Sequence, residues 1–310
     1  MARVWTVRST VVTDRTGRVA VIGAAGFIGG HAVPALTRAG RDVASFTRSA
    51  PFLGDAGLHP DIEAAQTIFW LASSINPQIA AEHPERVAAD QQVFVDFLER
   101  LGASGATPTV VLLSSGGTVY DPKSTPPYRE DSPTGPISAY GAAKVELEEI
   151  LAQLAPAAHV TVRVANAYGP GQQAKSGQGV IAYWMAAALR DEPITIIGDP
   201  ASARDYVFAA DIADALVAID AVEKPSDLPS ILNVGSGQAT SLQQLSDLLT
   251  DVVTPHQLKI ERQPARSFDI DRTWLSIECA KTTIAWAPQT SLHQGLLRTW
   301  QHVVSLSRGT

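Results

Sequence analysis

Tyr140 and Lys144 stand four residues apart in Tyr140-Gly141-Ala142-Ala143-Lys144, so on a helix they share one face. A phenol beside an ammonium is a proton-transfer device. The cation favours the phenolate, and a phenolate can take a proton from an alcohol. The spacing alone is common on solvated helices, and its surroundings give it weight. Upstream, Gly23-Ala24-Ala25-Gly26-Phe27-Ile28-Gly29 follows an apolar run and opens a helical pattern. In such a turn the first glycine permits a tight bend and the second lets backbone approach a pyrophosphate. The third lets the helix pack closely on the strand. The helix N-terminus adds free N–H groups and positive dipole. Gly23, Gly26, Phe27, Ile28 and Gly29 therefore read as a dinucleotide cradle, which would bring a hydride carrier to the phenol.

The end of the next strand indicates which dinucleotide. An acid there would bind the ribose diol of NAD, but the run Asp42–Phe46 is followed by Thr47 and Arg48. Nothing at that position repels a 2′-phosphate. Arg48 pairs with one, stacks on adenine or is simply solvated. NAD is expected and NADP is possible. The stretch from Ser49 to Gln66 is short for an adenine-binding end.

These residues need elements to position them. Strands are expected at Arg18–Ile22, Val43–Phe46, Thr67–Leu71, Val110–Leu113 and His159–Val164. Helices are expected at Phe27–Ala39, bent at Pro34, at Glu85–Leu101 and at Ala139–Leu154. Strands alternating with helices imply parallel strands joined by crossovers. Near-continuous apolar strands such as Val110-Val111-Leu112-Leu113 suit a sheet buried on both faces. The expected class is α/β, a doubly wound parallel sheet of the Rossmann kind with a smaller C-terminal substrate-binding lobe. Residues 1–17 form an extension and 18–165 the dinucleotide-binding domain, to which 205–235 return. Residues 166–204 and 236–310 form the substrate lobe.

Composition excludes several alternatives. A net charge of −7 over 310 residues, with no basic run, gives no case for nucleic acid or an anionic membrane surface. No apolar stretch is long enough to span a bilayer, and the first 17 residues do not make a secretory signal. The single cysteine, Cys279, fits a reducing, cytoplasmic setting and reads as an inert packed thiol. No metal site is expected.

With these residues in place, the chain resembles the extended short-chain dehydrogenase/reductases, in particular the NAD-dependent epimerase/dehydratase family. The resemblance runs from Arg18 to Trp300. It is carried by the glycine turn, Leu71-Ala72, Ser114-Ser115-Gly116-Gly117-Thr118-Val119-Tyr120 and Tyr140-x-x-x-Lys144. Further matches are Arg163-Val164-Ala165-Asn166-Ala167-Tyr168-Gly169-Pro170-Gly171-Gln172, Arg204-Asp205-Tyr206-Val207, Asn233-Val234-Gly235-Ser236-Gly237, Arg266-x-x-Asp269 and Trp286-x-Pro288. The resemblance implies Tyr140 as the base, with Lys144 holding the nicotinamide ribose and Leu71 and Ala72 beside the cofactor. It places Asn166 near the phosphates of a nucleotide-diphosphate sugar. Arg204 and Arg266 would grip the diphosphate, a role that suits the guanidinium fork; a structural ion pair, Arg204–Asp205 or Arg266–Asp269, is the competing reading. Gly116, Gly117, Gly179 and Val180 complete the expected substrate site. Such enzymes are usually homodimers through a helix bundle, here Glu85–Leu101 and Ala139–Leu154. Val93, Phe97, Leu147 and Leu151 face either the partner or the core.

The reaction loop departs from the family pattern. A Ser or Thr that bonds the reacting hydroxyl is usual where this chain has Gly116; Thr118, Ser115 or a water would substitute. Related dehydratases carry Asp-Glu at the next two positions and decarboxylases a Glu, whereas this chain has Gly117 and Thr118. An elimination needs an acid and a base at adjacent carbons, and neither stands there. Oxidation followed by re-reduction needs only Tyr140 and the cofactor, so a nucleotide-sugar 4-epimerase is expected. An NADP-dependent ketosugar reductase and a non-catalytic dinucleotide-binding regulator are the alternatives. Trp70, where a His is frequent, and Asp90, where an Asn is frequent, are further departures.

Overall fold

The computed structural model describes residues 17–54, 57–174, 179–254, 256, 258–264 and 272–308. Six apolar runs form one parallel sheet. They are β1 (Arg18–Ile22), β2 (Asp42–Phe46), β3 (Ala65–Trp70), β4 (Thr109–Ser115), β5 (His159–Val164) and β6 (Ile231–Val234). Their spatial order is β6-β5-β4-β3-β1-β2. The chain leaves β2 and returns across β1 to begin β3, which makes the β1–β3 boundary the topological switch point. Ligands of open α/β sheets enter at that crevice, over the carboxyl ends of the strands. Between Phe46 and Ala65 there is only a short antiparallel pair, Leu53–Gly54 with Gly57–Leu58, and a one-turn helix, Pro60–Glu63. Among the described residues no further strand pairs with β2, so it stays at the edge.

Alternation along the strands divides the core. Val19 and Val21 pack on one face with α1 (Gly29–Arg38) through Ala32 and Leu36, and with α5 (Ala209–Asp220) through Leu216 and Ile219. Ala20 and Ile22 point to the other face. There they meet Phe94, Phe97 and Leu98 of α2 (Pro84–Ser104) and Leu147 and Leu151 of α3 (Ala139–Leu154). Each such side chain contributes about 1.5–3 kcal/mol when fully buried. A separate cluster joins α4 (Val180–Leu189), α6 (Leu242–Val252) and α7 (Leu292–Ser307) around Trp184, Leu245 and Trp300.

Several details differ from the expectations. α1 starts at Gly29, leaving Phe27 and Ile28 in the turn, and continues through Pro34, which is exposed. Tyr206–Phe208 pairs with Asn166–Tyr168, outside the six-stranded sheet, while β6 does enter it. Phe97, Leu147 and Leu151 are fully buried, because Phe94, Phe97, Leu98 and Leu101 form the i, i+3, i+4, i+7 stripe of α2. Only Val93 of the four candidate interface residues is exposed, at 46 %. No helix among the described residues is long and apolar enough to cross a membrane.

Candidate active site

The loops after β1, β3 and β4 leave the same edge of the parallel sheet and frame the site. After β1, Gly23 (φ 95°) turns so that its N–H and that of Ala24 donate to the Phe46 carbonyl at 3.0 and 3.1 Å. A Cβ on Gly23 would stand 2.7 Å from the Ala72 backbone nitrogen, which sets Leu71-Ala72 against the turn. A Cβ on Gly29 would lie 2.2 Å from the Gly23 carbonyl oxygen. Only glycine lets α1 begin this close to β1. Ala25 and Gly26 are exposed, and the N-cap residue Ile28 supplies no side-chain acceptor to α1. The Phe27 and Ile28 N–H groups of the turn, which have no acceptor among the described residues, can therefore receive an anion. The residues present fit a dinucleotide pyrophosphate.

Thr47 and Arg48 follow β2 in a tight turn: the Thr47 N–H donates to the Ala50 carbonyl at 2.9 Å, and Thr47 Oγ1 lies 3.1 Å from Ser49 Oγ. Arg48 is exposed and has no partner among the described residues. Asp90 accepts from the Ser74 N–H at 2.6 Å and from Ser73 Oγ at 3.3 Å, which fixes the loop after β3. Trp70 is buried among Phe52, Phe94 and Phe97, with ring centroids 5.4, 4.7 and 4.9 Å away, so its departure from the family pattern is a packing change.

Ser138 caps α3 by accepting from the Gly141 N–H at 3.1 Å. Helical spacing then aligns Tyr140, Lys144 and Glu148. Lys144 is 5 % exposed, and its nitrogen lies 5.6 Å from the centre of the Tyr140 ring. It has no ion pair or hydrogen bond among the described residues. With no hydrogen bond in place, its ammonium still has three donors to offer. One turn on, Glu148 is fully engaged. It accepts from Arg163 at 2.6, 3.1 and 3.2 Å and from Ser114 Oγ. Arg163 also lies over the Tyr120 ring at 4.8 Å, and the Tyr120 hydroxyl donates to Asn233 Oδ1 at 2.6 Å. Burial pulls the Arg163 guanidinium down, but its bonds to Glu148 more than offset this and hold it above the usual value. This network locks α3 to β4, β5 and β6 behind Lys144.

The loop Ser114–Tyr120 meets α3 directly: a Cβ on Gly141 would be 2.4 Å from the Thr118 carbonyl oxygen. Thr118 Oγ1 is buried and lacks a hydrogen-bond partner. The Ser115 carbonyl accepts from the N–H groups of Thr118 and Val119 at 3.3 Å. A Cβ on Gly116 would sit 2.6 Å from a δ-methyl of Leu275, so an apolar side chain fills the place of the missing hydroxyl. A Cβ on Gly117 would stand 3.6 Å from Asn166 Oδ1. Asn166 in turn donates from its backbone and from Nδ2 to the Asp205 carbonyl, both at 2.9 Å.

Asp205 is a hub. Its carboxylate accepts from Ser236 N at 2.7 Å, Ser236 Oγ at 2.6 Å, Leu275 N at 3.2 Å and Gly237 N at 3.3 Å. Burial pushes its pKa up, and the bonds from Ser236 work against that rise. Its acceptors are thus engaged away from Arg204, and Arg204 bonds the Ala203 carbonyl at 2.9 Å. Gly179 (φ 74°) opens α4 just before Val180, and a Cβ on it would stand 3.1 Å from the side-chain amide of Gln172. Arg266 and Asp269 lie outside the described residues. The structure thus brings Tyr140, Lys144, Thr118, Ser115, Gly116, Gly117, Asn166 and the segment Arg204-Asp205 into one contiguous group, with the glycine turn at the same sheet edge. Leu275 and Tyr128 were not foreseen, and Asp205 was read only as a candidate partner of Arg204. Glu148 was within reach of the sequence, since it continues the Tyr140–Lys144 face.

The family model described as the NAD dependent epimerase/dehydratase family matches residues 19–235. A UDP-glucose 4-epimerase of Mycolicibacterium smegmatis is 31 % identical over 239 residues, spanning 76 % of this chain and 74 % of that protein. A dTDP-4-dehydro-6-deoxyglucose reductase of Escherichia coli is 28 % identical over 74 % of this chain and 72 % of its own. Among solved structures, a UDP-glucose 4-epimerase with UDP-glucose from Thermotoga maritima superposes with a TM-score of 0.80 at 28 % identity. That match covers 94 % of this chain and 99 % of the other.

Proposed function

Since the chain belongs to the NAD-dependent epimerase/dehydratase family, we propose that it is a nucleotide-sugar 4-epimerase. The observation that carries the proposal is Lys144, a buried side chain whose ammonium lies 5.6 Å from the centre of the Tyr140 ring and makes no hydrogen bond or ion pair among the described residues. Its unplaced donors suit the ribose hydroxyls of a nicotinamide nucleotide, and its charge suits a phenol that gives up a proton. Gly23, Gly26, Phe27, Ile28, Gly29, Leu71 and Ala72 would hold the pyrophosphate end, with Thr47 and Arg48 at the adenosine ribose. The bound nicotinamide supplies a hydride acceptor and donor.

Within that frame Tyr140 takes the proton of the sugar C4 hydroxyl as C4 is oxidised, and returns it after the sugar has turned over. Thr118 Oγ1, buried and unpaired, holds the reacting oxygen, with Ser115 beside it. Arg204 and Arg266 hold the diphosphate, with Asn166 near it and Gly179 and Val180 at the nucleotide end, so that the keto sugar rotates without leaving. Gly116 and Gly117 form the floor of the site. Gly117 and Thr118 offer no carboxyl group, which favours epimerisation over elimination. A homodimer through α2 and α3, where Val93 is exposed, and a cytoplasmic setting belong to the same reading. Incubating the purified protein with UDP- and dTDP-hexoses, without added cofactor, tests it. A C4 epimer seen by NMR supports it, and a requirement for stoichiometric NADPH contradicts it.

That second outcome would favour an NADP-dependent ketosugar reductase. Thr47-Arg48, with no acid facing a 2′-phosphate, and the similarity to the Escherichia coli reductase support that alternative. Cofactor binding without turnover of any sugar nucleotide would favour a regulator.

A further inference from the structure

All the buried side-chain hydroxyls without a hydrogen-bond partner among the described residues belong to Thr118, Tyr128, Tyr206 and Thr273. Such groups are nearly always paired, and strand register relates two of these to Arg204. Arg204 pairs with Thr273 between parallel strands. Two residues on, Leu275 bridges Tyr128: the Tyr128 N–H donates to the Trp274 carbonyl at 2.9 Å, and Ser276 N–H donates to the Tyr128 carbonyl at 2.7 Å. Paired residues and i, i+2 neighbours project to one face. Arg204, Thr273, Leu275 and Tyr128 therefore share an inner face. Arg272 and Trp274 turn the other way, into an outer groove they line with Ala203 and Asp199.

The inner face meets the reaction loop, because a Leu275 methyl lies 2.6 Å from where a Cβ on Gly116 would stand. Tyr128 stacks on Tyr120 with centroids 5.0 Å apart. Burial raises the pKa of the Tyr128 phenol, while the Arg204 charge acts on it in the opposite sense, so the two groups sense each other. Along this face Arg204 stands level with Thr273 and Tyr128 level with Leu275, whose methyl lies against Gly116.

We propose that Thr273 and Tyr128 are specificity-determining substrate contacts. Thr273 Oγ1 donates to a phosphoryl oxygen of the nucleoside diphosphate gripped by Arg204, and the Tyr128 hydroxyl donates to a sugar hydroxyl between that phosphate and Gly116. The inference rests on the reading of Arg204 as a diphosphate grip. The two hydroxyls are closed off while Leu275 rests on Gly116, so ligand entry moves the segment Arg272–Ser276 off the loop.

The test uses the full-length protein with its own cofactor. UDP, dTDP and GDP are titrated calorimetrically into the wild type, Thr273→Val and Tyr128→Phe, and KM and kcat are measured for the sugar nucleotide that turns over. Thr273→Val should raise the Kd for the nucleoside diphosphate about tenfold, the value of a hydrogen bond to a charged group. Cofactor content should stay within twofold. Tyr128→Phe should leave that Kd unchanged and raise KM several-fold. A purely structural role predicts a changed Tm with Kd and KM unmoved, and that result overturns the proposal. Diphosphate binding weakened by Thr273→Val, in a protein that turns over no sugar nucleotide, would uphold the phosphate contact while the epimerase reading fails. No binding of any of the three diphosphates by the wild type would overturn both.

Discussion

Replacing Arg163 by Met should destabilise the protein by about 3–5 kcal/mol, the cost of leaving one member of a buried ion pair alone. Arg163 and Glu148 are 3 % and 8 % exposed. Three contacts of 3.2 Å or less join them, and Ser114 Oγ would be the one remaining donor to the carboxylate. At roughly 2–4 °C per kcal/mol for a domain of this size class, the loss corresponds to a fall in Tm of about 10 °C. The double variant Arg163→Met/Glu148→Leu fills the space without a stranded charge, and should recover most of the loss or exceed the wild type. Urea unfolding followed by far-UV circular dichroism measures both, provided the slope of stability against urea is unchanged. A single variant within about 1 kcal/mol of wild type, which the ordinary scatter of point mutations would cover, refutes a buried, mutually dependent pair. So would a double variant no better than the single one.

Three other outcomes follow. Tyr140→Phe should lower kcat by about 10²–10⁴-fold, the usual worth of a positioned acid/base, while the cofactor that co-purifies is unchanged; undiminished turnover would place the base elsewhere. Gly29→Ala puts a Cβ 2.2 Å from the Gly23 carbonyl, so it should cost about 1–3 kcal/mol in strain and abolish cofactor retention, read from the absorbance of the heat-released nucleotide. Burial pushes the Tyr206 phenol up to about 12, with Arg204 pulling the other way. An unfolded tyrosine titrates near about 10, so this stability is complete below about pH 10 and is lost as pH rises towards about 12, at roughly 1.4 kcal/mol per unit. Tyr206→Phe should flatten that alkaline limb, and parallel losses in variant and wild type would contradict the assignment.

Much of the fold was legible because its signals are local. The glycine turn between an apolar run and a helical pattern, the four-residue spacing of Tyr140 and Lys144, and the apolar runs that became β1, β4 and β5 all depend on neighbours in sequence. Burial within α2 and α3 was not decided by apolarity alone. Val93 and Phe97 are both apolar, yet Val93 falls beside the stripe that Phe94, Phe97, Leu98 and Leu101 present to β3. The contact of Leu275 with Gly116, the bridge from Leu275 to Tyr128 and the bonds that converge on Asp205 depend on register between distant segments. No local pattern encodes that register. The hydroxyl missing at Gly116 could be seen in the sequence, but not the methyl group that fills its place.

The central claim is that hydride leaves and returns to the same sugar carbon while Tyr140 moves the proton. The sugar nucleotide that turns over, carrying deuterium at C4 and reacted in ordinary water without added NAD(P)H, measures this directly. The account predicts a C4-epimeric product that retains the deuterium at C4, by mass spectrometry and NMR. Deuterium washed out to solvent, or a product formed only as NADPH is consumed, would contradict it.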